Sequence, residues 1–301
     1  MKRGIFTDCK ELCAKRGPIK IVGISSGKRG KYDCAKEDPV SLYLLKETLK
    51  IAEKLGAETQ LIDLRELKIG ACKECYSTCP AQCRFNEKTG QCDCYHFKSD
   101  HMFIHDEHAV PIEKAYDLLT KEQFFDAYNN DNMLGKRDDM HVVYKAMMEA
   151  DGVIFATSTA YYSRPALLQN MLSRFCALDG GVEDLWGDGK NLHNSVEYAR
   201  KHNAKYKQRL YGKFVGFINC SKEGDSVTPD LMKACTMMGM KILPLGVAYR
   251  VNWYNDQTHR SDTKESLKDK FTLSLVKHLG TEMFNEIKKS QRKYGMYSKV
   301  V

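Results

Sequence analysis

Five short apolar runs punctuate the chain: Ile19–Ser25, Glu58–Leu64, Gly152–Thr157, Lys213–Asn219 and Met240–Gly246. Each is rich in Ile, Val, Leu or Phe, and none alternates cleanly between apolar and polar positions. Continuous apolar runs of this length are what strands covered on both faces require, because neither face meets water. Between them the apolar spacing changes to that of helices. Leu42, Leu45, Leu49, Ala52 and Leu55 recur on one face, with Asp38-Pro39 before them as N-cap and first-turn proline, and Gly56 after them as a stop. A second helical pattern covers roughly Asp138–Ala150. A third opens at Pro165 with Leu168, Met171, Leu172 and Phe175, and a fourth at Thr228-Pro229 with Leu231, Cys235 and Met238. The fifth is expected from about Asp262 to Leu279.

Strand and helix therefore alternate. That order predicts right-handed βαβ crossovers and an α/β fold with a doubly wound, five-stranded parallel sheet of order 2-1-3-4-5. In such a sheet the ligand site lies beyond the carboxyl ends of strands one and three. Two stretches exceed what the fold needs, at about 72–137 and 180–212, and are read as insertions. The domain plan is thus an N-terminal extension over 1–17, one domain over 18–280 carrying both insertions, and a basic C-terminal segment over 281–301.

Three turns follow strand ends on that ligand-binding side. The first, Ser25-Ser26-Gly27-Lys28-Arg29-Gly30, offers two hydroxyls, a glycine for close approach and positive charge, with Ser41 in the first turn of the next helix. These are the groups that hold a phosphate. The run is neither a P-loop nor GxGxxG. The second turn, Thr157-Ser158-Thr159-Ala160-Tyr161-Tyr162, is polar and aromatic, suited to a planar ring. The third, Asn219-Cys220-Ser221-Lys222-Glu223-Gly224, is small and polar. Cys220 has no identifiable base beside it in sequence, and no catalytic residue is singled out.

Composition adds one candidate chemistry. Six of the twelve cysteines, Cys72, Cys75, Cys79, Cys83, Cys92 and Cys94, fall within 23 residues. Clustering of this kind points to a metal rather than to a disulfide framework. The Cys-x2-Cys-x3-Cys-Pro spacing suits an iron–sulfur cluster, of which [4Fe–4S] is the expected type. Zinc held by Cys-x2-Cys with a later Cys-x-Cys is the structural alternative. Met1–Gly17 has no apolar h-region, and no apolar run reaches membrane-spanning length, so a cytoplasmic protein without a membrane anchor is expected. The net charge of +8 includes a basic run from Lys288 to Lys299, and no nucleic-acid-binding signature accompanies it.

The Ser25–Arg29 loop resembles the phosphate loop of the NAD(P)H-dependent FMN reductase family. So does the run Ala150–Thr157 followed by Tyr161-Tyr162-Ser163 and Ala166–Asn170. The cysteine cluster after strand two is similar to that of the family's iron–sulfur flavoprotein branch. The resemblance covers roughly 18–70 and 138–250 and implies a flavodoxin-like fold. It implies FMN with its phosphate on Ser25, Ser26, Gly27, Lys28 and Ser41. The ring would meet Thr157, Ser158, Thr159, Ala160, Tyr161 and Tyr162, flanked by Cys220, Ser221 and Gly224. It also implies hydride transfer from NAD(P)H, an electron acceptor, and a homodimer or homotetramer. Two further readings remain at this point. One is a non-enzymatic flavin and iron–sulfur electron carrier; the other is a zinc-stabilised binding module.

Overall fold

The structure, a computed structural model, describes residues 17–27, 37–72, 74, 85–86, 90–92, 102–105, 108–111, 138–179, 208–221, 224–251 and 268–297. Lys28, Cys75, Cys79, Cys83 and Cys94 lie outside the described residues, as do most of the two insertions and residues 1–16 of the N-terminal extension. The strands are β1 (Lys20–Ser25), β2 (Glu58–Asp63), β3 (Gly152–Ser158), β4 (Phe214–Ser221) and β5 (Lys241–Val251). The helices are α1 (Val40–Lys54), α2 (Met140–Glu149), α3 (Ala166–Ser173), α4 (Val227–Met237) and α5 (Lys270–Tyr297). All five strands pair in parallel in the order β2-β1-β3-β4-β5, which is the doubly wound order expected. No helix among the described residues is long and apolar enough to cross a membrane.

The chain divides into two compact units. The first comprises Met1–Glu66, Ala146–Gln169 and Leu210–Val301, and it holds the sheet. The second comprises Leu67–Lys145 and Asn170–Arg209. It includes two short antiparallel pairs, Phe85–Asn86 with Gln91–Cys92 and Met102–His105 with His108–Pro111.

In the first unit, alternate strand residues face opposite sides of the sheet. Ile21, Ile154, Ala156, Ile218 and Ala248 pack with Leu44, Leu45 and Leu49 of α1 and with Val276, Leu279 and Met283 of α5. On the other face Phe155 and Phe217 stack, ring centroids 6.3 Å apart, and Leu231 and Cys235 of α4 are buried. The strand interiors thus need apolar residues on both sides, which is why their sequences run without alternation. β2 departs from this. It is an edge strand, only one of its six residues is buried, and Leu61 is 38% exposed.

Three expected boundaries move. α1 is capped by Pro39 rather than Asp38, whose carboxylate instead accepts a hydrogen bond from Arg65 Nη2 at 3.0 Å. Arg65 also binds Asp63, and these hydrogen bonds raise its already high pKa. β5 continues to Val251 rather than ending at Gly246. A register shift interrupts its pairing with β4 between Val215 and Phe217, and Leu245 beside it adopts φ 51°. The bulge adds residues to β5 without a partner on β4, which the apolar pattern alone does not reveal. α5 begins at Lys270, later than expected, and runs unbroken through 280 into the basic segment, so residues 281–297 are helix.

Gly280 explains how α5 closes on α1. A Cβ there would sit 2.7 Å from the Thr48 carbonyl oxygen and 3.3 Å from Ile51 Cβ. Glycine normally weakens a helix interior by about 1 kcal/mol relative to alanine. Here it admits the neighbouring backbone. Gly280→Val is expected to lower the unfolding free energy by about 2 kcal/mol or more, because the obstacle is backbone and cannot rotate away. Urea denaturation checks this; an unchanged midpoint contradicts the close approach.

Candidate functional site

The three turns that follow β1, β3 and β4 belong to the first unit and are joined by hydrogen bonds. Ser26 N donates to Ala156 O at 2.9 Å, extending the β1–β3 pairing one residue past the strand. Ser26 Oγ donates to Thr157 Oγ1 at 2.8 Å, with both residues about fully buried. Ser26 therefore ties the first loop to the second. Gly27 then passes directly over the start of α1: a Cβ would lie 2.5 Å from Pro39 Cβ and 3.1 Å from Ser41 Oγ. Only glycine fits there.

Ser25 Oγ and Ser41 Oγ are buried and have no hydrogen-bond partner among the described residues. Ser25 and Ser41 are 0% and 1% exposed. A buried hydroxyl without a partner costs roughly 1–3 kcal/mol. Two of them flank one glycine-bearing loop at the first turn of a 15-residue helix whose cap, Pro39, offers no side-chain acceptor and which has no acidic residue in that turn. Amide groups at a helix start, with the helix dipole behind them, favour an anion. The donor set fits a phosphate.

The second loop closes on itself as a hairpin. Ala160 N donates to Ser163 O at 2.8 Å and Ser163 N to Ala160 O at 3.1 Å. Tyr161 and Tyr162 between them have φ 47° and 57°. Ser158 and Thr159 are half-buried, whereas Tyr161 is 88% and Tyr162 65% exposed.

The third loop is held to the second. Thr159 Oγ1 donates to Gly224 O at 3.3 Å, and Ser226 Oγ donates to Tyr162 O at 2.9 Å. Gly224 takes φ 86° in the turn. Ser221 is buried at the strand end. The Cys220 side chain does not face this loop; it packs in the apolar layer with Ile218, Leu44 and Leu279. Asp225 accepts from Thr228 N at 2.9 Å and from Asn219 Nδ2, so it fixes the start of α4 and the end of β4 together. The charge-bearing oxygen sets the Asn219 amide orientation. Asn219, Asp225 and Thr228 were not foreseen as a unit, although an Asp three residues ahead of a helical Thr is a capping signal.

The second unit holds the two described cysteines of the cluster. Cys72 Sγ accepts a hydrogen bond from Glu74 N at 3.4 Å, and Glu74 takes φ 53°, which curls the chain around the sulfur. Cys92 is 3% exposed, and Arg174 Nη2 donates to its Sγ at 3.2 Å. Arg174 also binds Gln91 Oε1 at 2.8 Å and the Asp138 carboxylate. Burial works to lower the pKa of Arg174, but Cys92, Tyr144 and Asp138 outweigh it and hold it raised. Among the described residues no group of three or more His, Cys, Asp or Glu side chains is placed to hold a metal ion.

Cys235 and Cys176 differ sharply in exposure. Burial pushes the Cys235 thiol up to about 12, whereas Cys176 is exposed. Cys176 is expected to react with a thiol reagent in the native protein at pH 9, and Cys235 only after unfolding. A raised folded pKa means that the Cys235 contribution to stability is complete below the unfolded value of 9.0 and declines as pH rises from there toward about 12. Mass-spectrometric labelling at pH 9 checks the pair; native labelling of Cys235 contradicts it.

Comparison with known proteins adds three findings. Residues 108–254 match the family model described as NADPH-dependent FMN reductase. No curated protein matches the chain. Among solved structures, RosB with a bound intermediate, 8-demethyl-8-formylriboflavin-5'-phosphate, aligns at TM-score 0.52 and 12% identity, covering 91% of this chain and 81% of that one. A flavone reductase aligns at TM-score 0.48 and 16% identity over 90% of this chain, which spans 63% of its length. An FMN-dependent NADH-azoreductase from Bacillus anthracis str. Ames Ancestor, in complex with FMN, aligns at TM-score 0.44 and 12% identity, covering 88% and 99% of the two chains. The likeness of fold rests on the first of these.

Proposed function

We propose that the protein is an FMN-dependent NAD(P)H oxidoreductase that passes electrons to a small-molecule or protein acceptor. The observation that carries the reading is the pair of unpartnered, buried hydroxyls, Ser25 and Ser41, beside Gly27 at the start of α1. The family match over residues 108–254 supports it independently, since that span lies beyond the phosphate loop. Bound flavin supplies the two-electron chemistry. The chain supplies the rest. Ser25 and Ser41 donate to the phosphate, Gly27 lets the backbone approach it, and Lys28 adds charge. Ser26 is committed to Thr157 and keeps the first two loops in register. Ser158, Thr159, Ala160 and the Tyr161–Tyr162 turn flank the ring on one side. Ser221, Gly224 and the backbone of Cys220 flank it on the other.

The reading includes a cysteine-ligated iron–sulfur cluster drawn from Cys72, Cys75, Cys79, Cys83, Cys92 and Cys94. The amide hydrogen bond to Cys72 Sγ supports a thiolate there. Zinc uses the same ligands and satisfies the same contact. Twelve cysteines suit the reducing cytoplasm. A homodimer or homotetramer accords with the family that the sequence resembles.

Fluorescence titration of the purified protein with FMN and with riboflavin tests the phosphate site. Wild type is expected to prefer FMN, and Ser25→Ala with Ser41→Ala to reduce that preference by about ten-fold or more, one to two hydrogen bonds to a charged group. The same double substitution removes two orphaned hydroxyls and is expected to leave the flavin-free protein as stable as wild type or more so. An unchanged FMN-to-riboflavin ratio places the phosphate elsewhere. Failure of NADPH to bleach the bound flavin sinks the oxidoreductase reading. Iron analysis with the absorption spectrum then separates an iron–sulfur cluster from zinc.

A further inference from the structure

The Tyr161–Tyr162 turn breaks two rules at once. Ala160 and Ser163 exchange both backbone hydrogen bonds, so Tyr161 and Tyr162 are the two central residues of a tight hairpin. Both take left-handed φ, 47° and 57°. Turns with positive φ at both central positions favour Asn-Gly, because a Cβ in that region crowds the following carbonyl. Two adjacent aromatic residues there are strained. Nor does burial compensate, since the side chains are 88% and 65% exposed.

The turn is nonetheless held firmly. Thr159 Oγ1 and Ser226 Oγ bind it to the loop after β4 on either side of the rings. The rings meet edge to face, centroids 5.8 Å apart and planes at 69°, so they brace each other while presenting flat π surface to solvent. Strain, exposure and anchoring together describe a surface kept ready for something flat.

We propose that the Tyr161–Tyr162 turn is the specificity platform of the site and stacks the planar ring of a co-substrate; the proposal rests on the oxidoreductase reading. Two co-substrates carry such a ring, the nicotinamide of NAD(P)H and an aromatic, quinone-like acceptor. The chemistry is shared, and the experiment separates them. A small non-planar acceptor such as ferricyanide has no face to offer these rings and is the internal reference.

The test is the double variant Tyr161→Asn, Tyr162→Gly, with Tyr161→Phe and Tyr161→Leu as companions. Asn-Gly suits the turn, so the double variant is expected to fold and to melt about 4 °C higher than wild type. Steady-state kinetics are read with NADPH and with menadione, a two-ring quinone, each compared with ferricyanide. A rise of about ten-fold in the KM for menadione relative to ferricyanide assigns the platform to the acceptor. A similar rise in the KM for NADPH assigns it to the hydride donor. Tyr161→Phe is expected to retain the wild-type KM and Tyr161→Leu to lose it, because stacking needs the ring and not the hydroxyl. Both KM values within two-fold of wild type in the double variant overturn the proposal. So does a change of oligomeric mass in sedimentation, which makes the turn a subunit contact. A wild-type protein whose flavin NADPH does not reduce fails at the earlier reading instead, before any variant is compared.

Discussion

The hydrogen bond from Ser26 Oγ to Thr157 Oγ1, sealed from water at the carboxyl end of the sheet, is the interaction on which the site depends. A parallel sheet covered on both faces leaves its interior apolar, so polar groups that the chain must bury collect where strands end. Ser26 and Thr157 satisfy one another there. Because Thr157 is engaged, Ser26 faces β3 and leaves Ser25 and Ser41 as the unmatched pair beside Gly27. The same bond fixes the point at which the chain leaves β3, and hence where the Tyr161–Tyr162 turn begins. From that turn two further hydrogen bonds reach the loop after β4. One buried hydroxyl pair thereby joins two loops 131 residues apart in sequence, and the third loop follows 65 residues on.

The parallel sheet was legible in the sequence because its signal is local. Runs such as Gly152–Ser158, seven residues with six buried, announce a strand without knowledge of partners. Long-range constraints left fainter marks. The continuation of β5 past Gly246 was hidden because a register shift in its pairing with β4, which only the folded sheet reveals, carries the strand on to Val251. Asp38 reads as a helix cap from its neighbours alone, yet Arg65, far along the chain, takes its carboxylate. Cys220 reads as a turn residue flanking the ring, and strand alternation turns its side chain into the core. At the site itself the residue types were visible, but which serine holds a loop and which is left for a ligand is a matter of pairing. No spacing rule distinguishes Ser25 from Ser26.

The second unit is organised on a different principle. Arg174, 2% exposed, gathers Asp138 and the adjacent Gln91 and Cys92 from two separate segments. Asp138 in turn accepts from Gly70 N at 2.9 Å and from the Gln91 amide at 3.0 Å. Phe85 and Tyr144 pack edge to face, centroids 5.6 Å apart, and Arg209 lies 4.8 Å over the Phe85 ring. A buried ion pair is a poor source of net stability but a strict specifier of geometry, since misplacing one partner strands a charge. That strictness sets where Cys92 sits, with a guanidinium donating to its sulfur. A thiol in that setting is held as a hydrogen-bond acceptor.

Departures from local rules concentrate at one end of the sheet. Ser25 and Ser41 are buried without partners, and Tyr161 and Tyr162 occupy backbone that suits Asn and Gly. At the opposite end Lys213, its pKa lowered by burial, donates to Met148 O at 2.8 Å and Ala150 O at 2.6 Å and so caps the end of α2. A sequence selected only to fold would have removed the first set of conflicts with single substitutions, alanine for either serine and glycine for Tyr162, each compatible with the surrounding backbone. Their coexistence at the ends of β1 and β3, where Ser26, Thr159 and Ser226 tie the loops together by hydrogen bonds, marks the carboxyl end as the place where folding alone does not decide the residue.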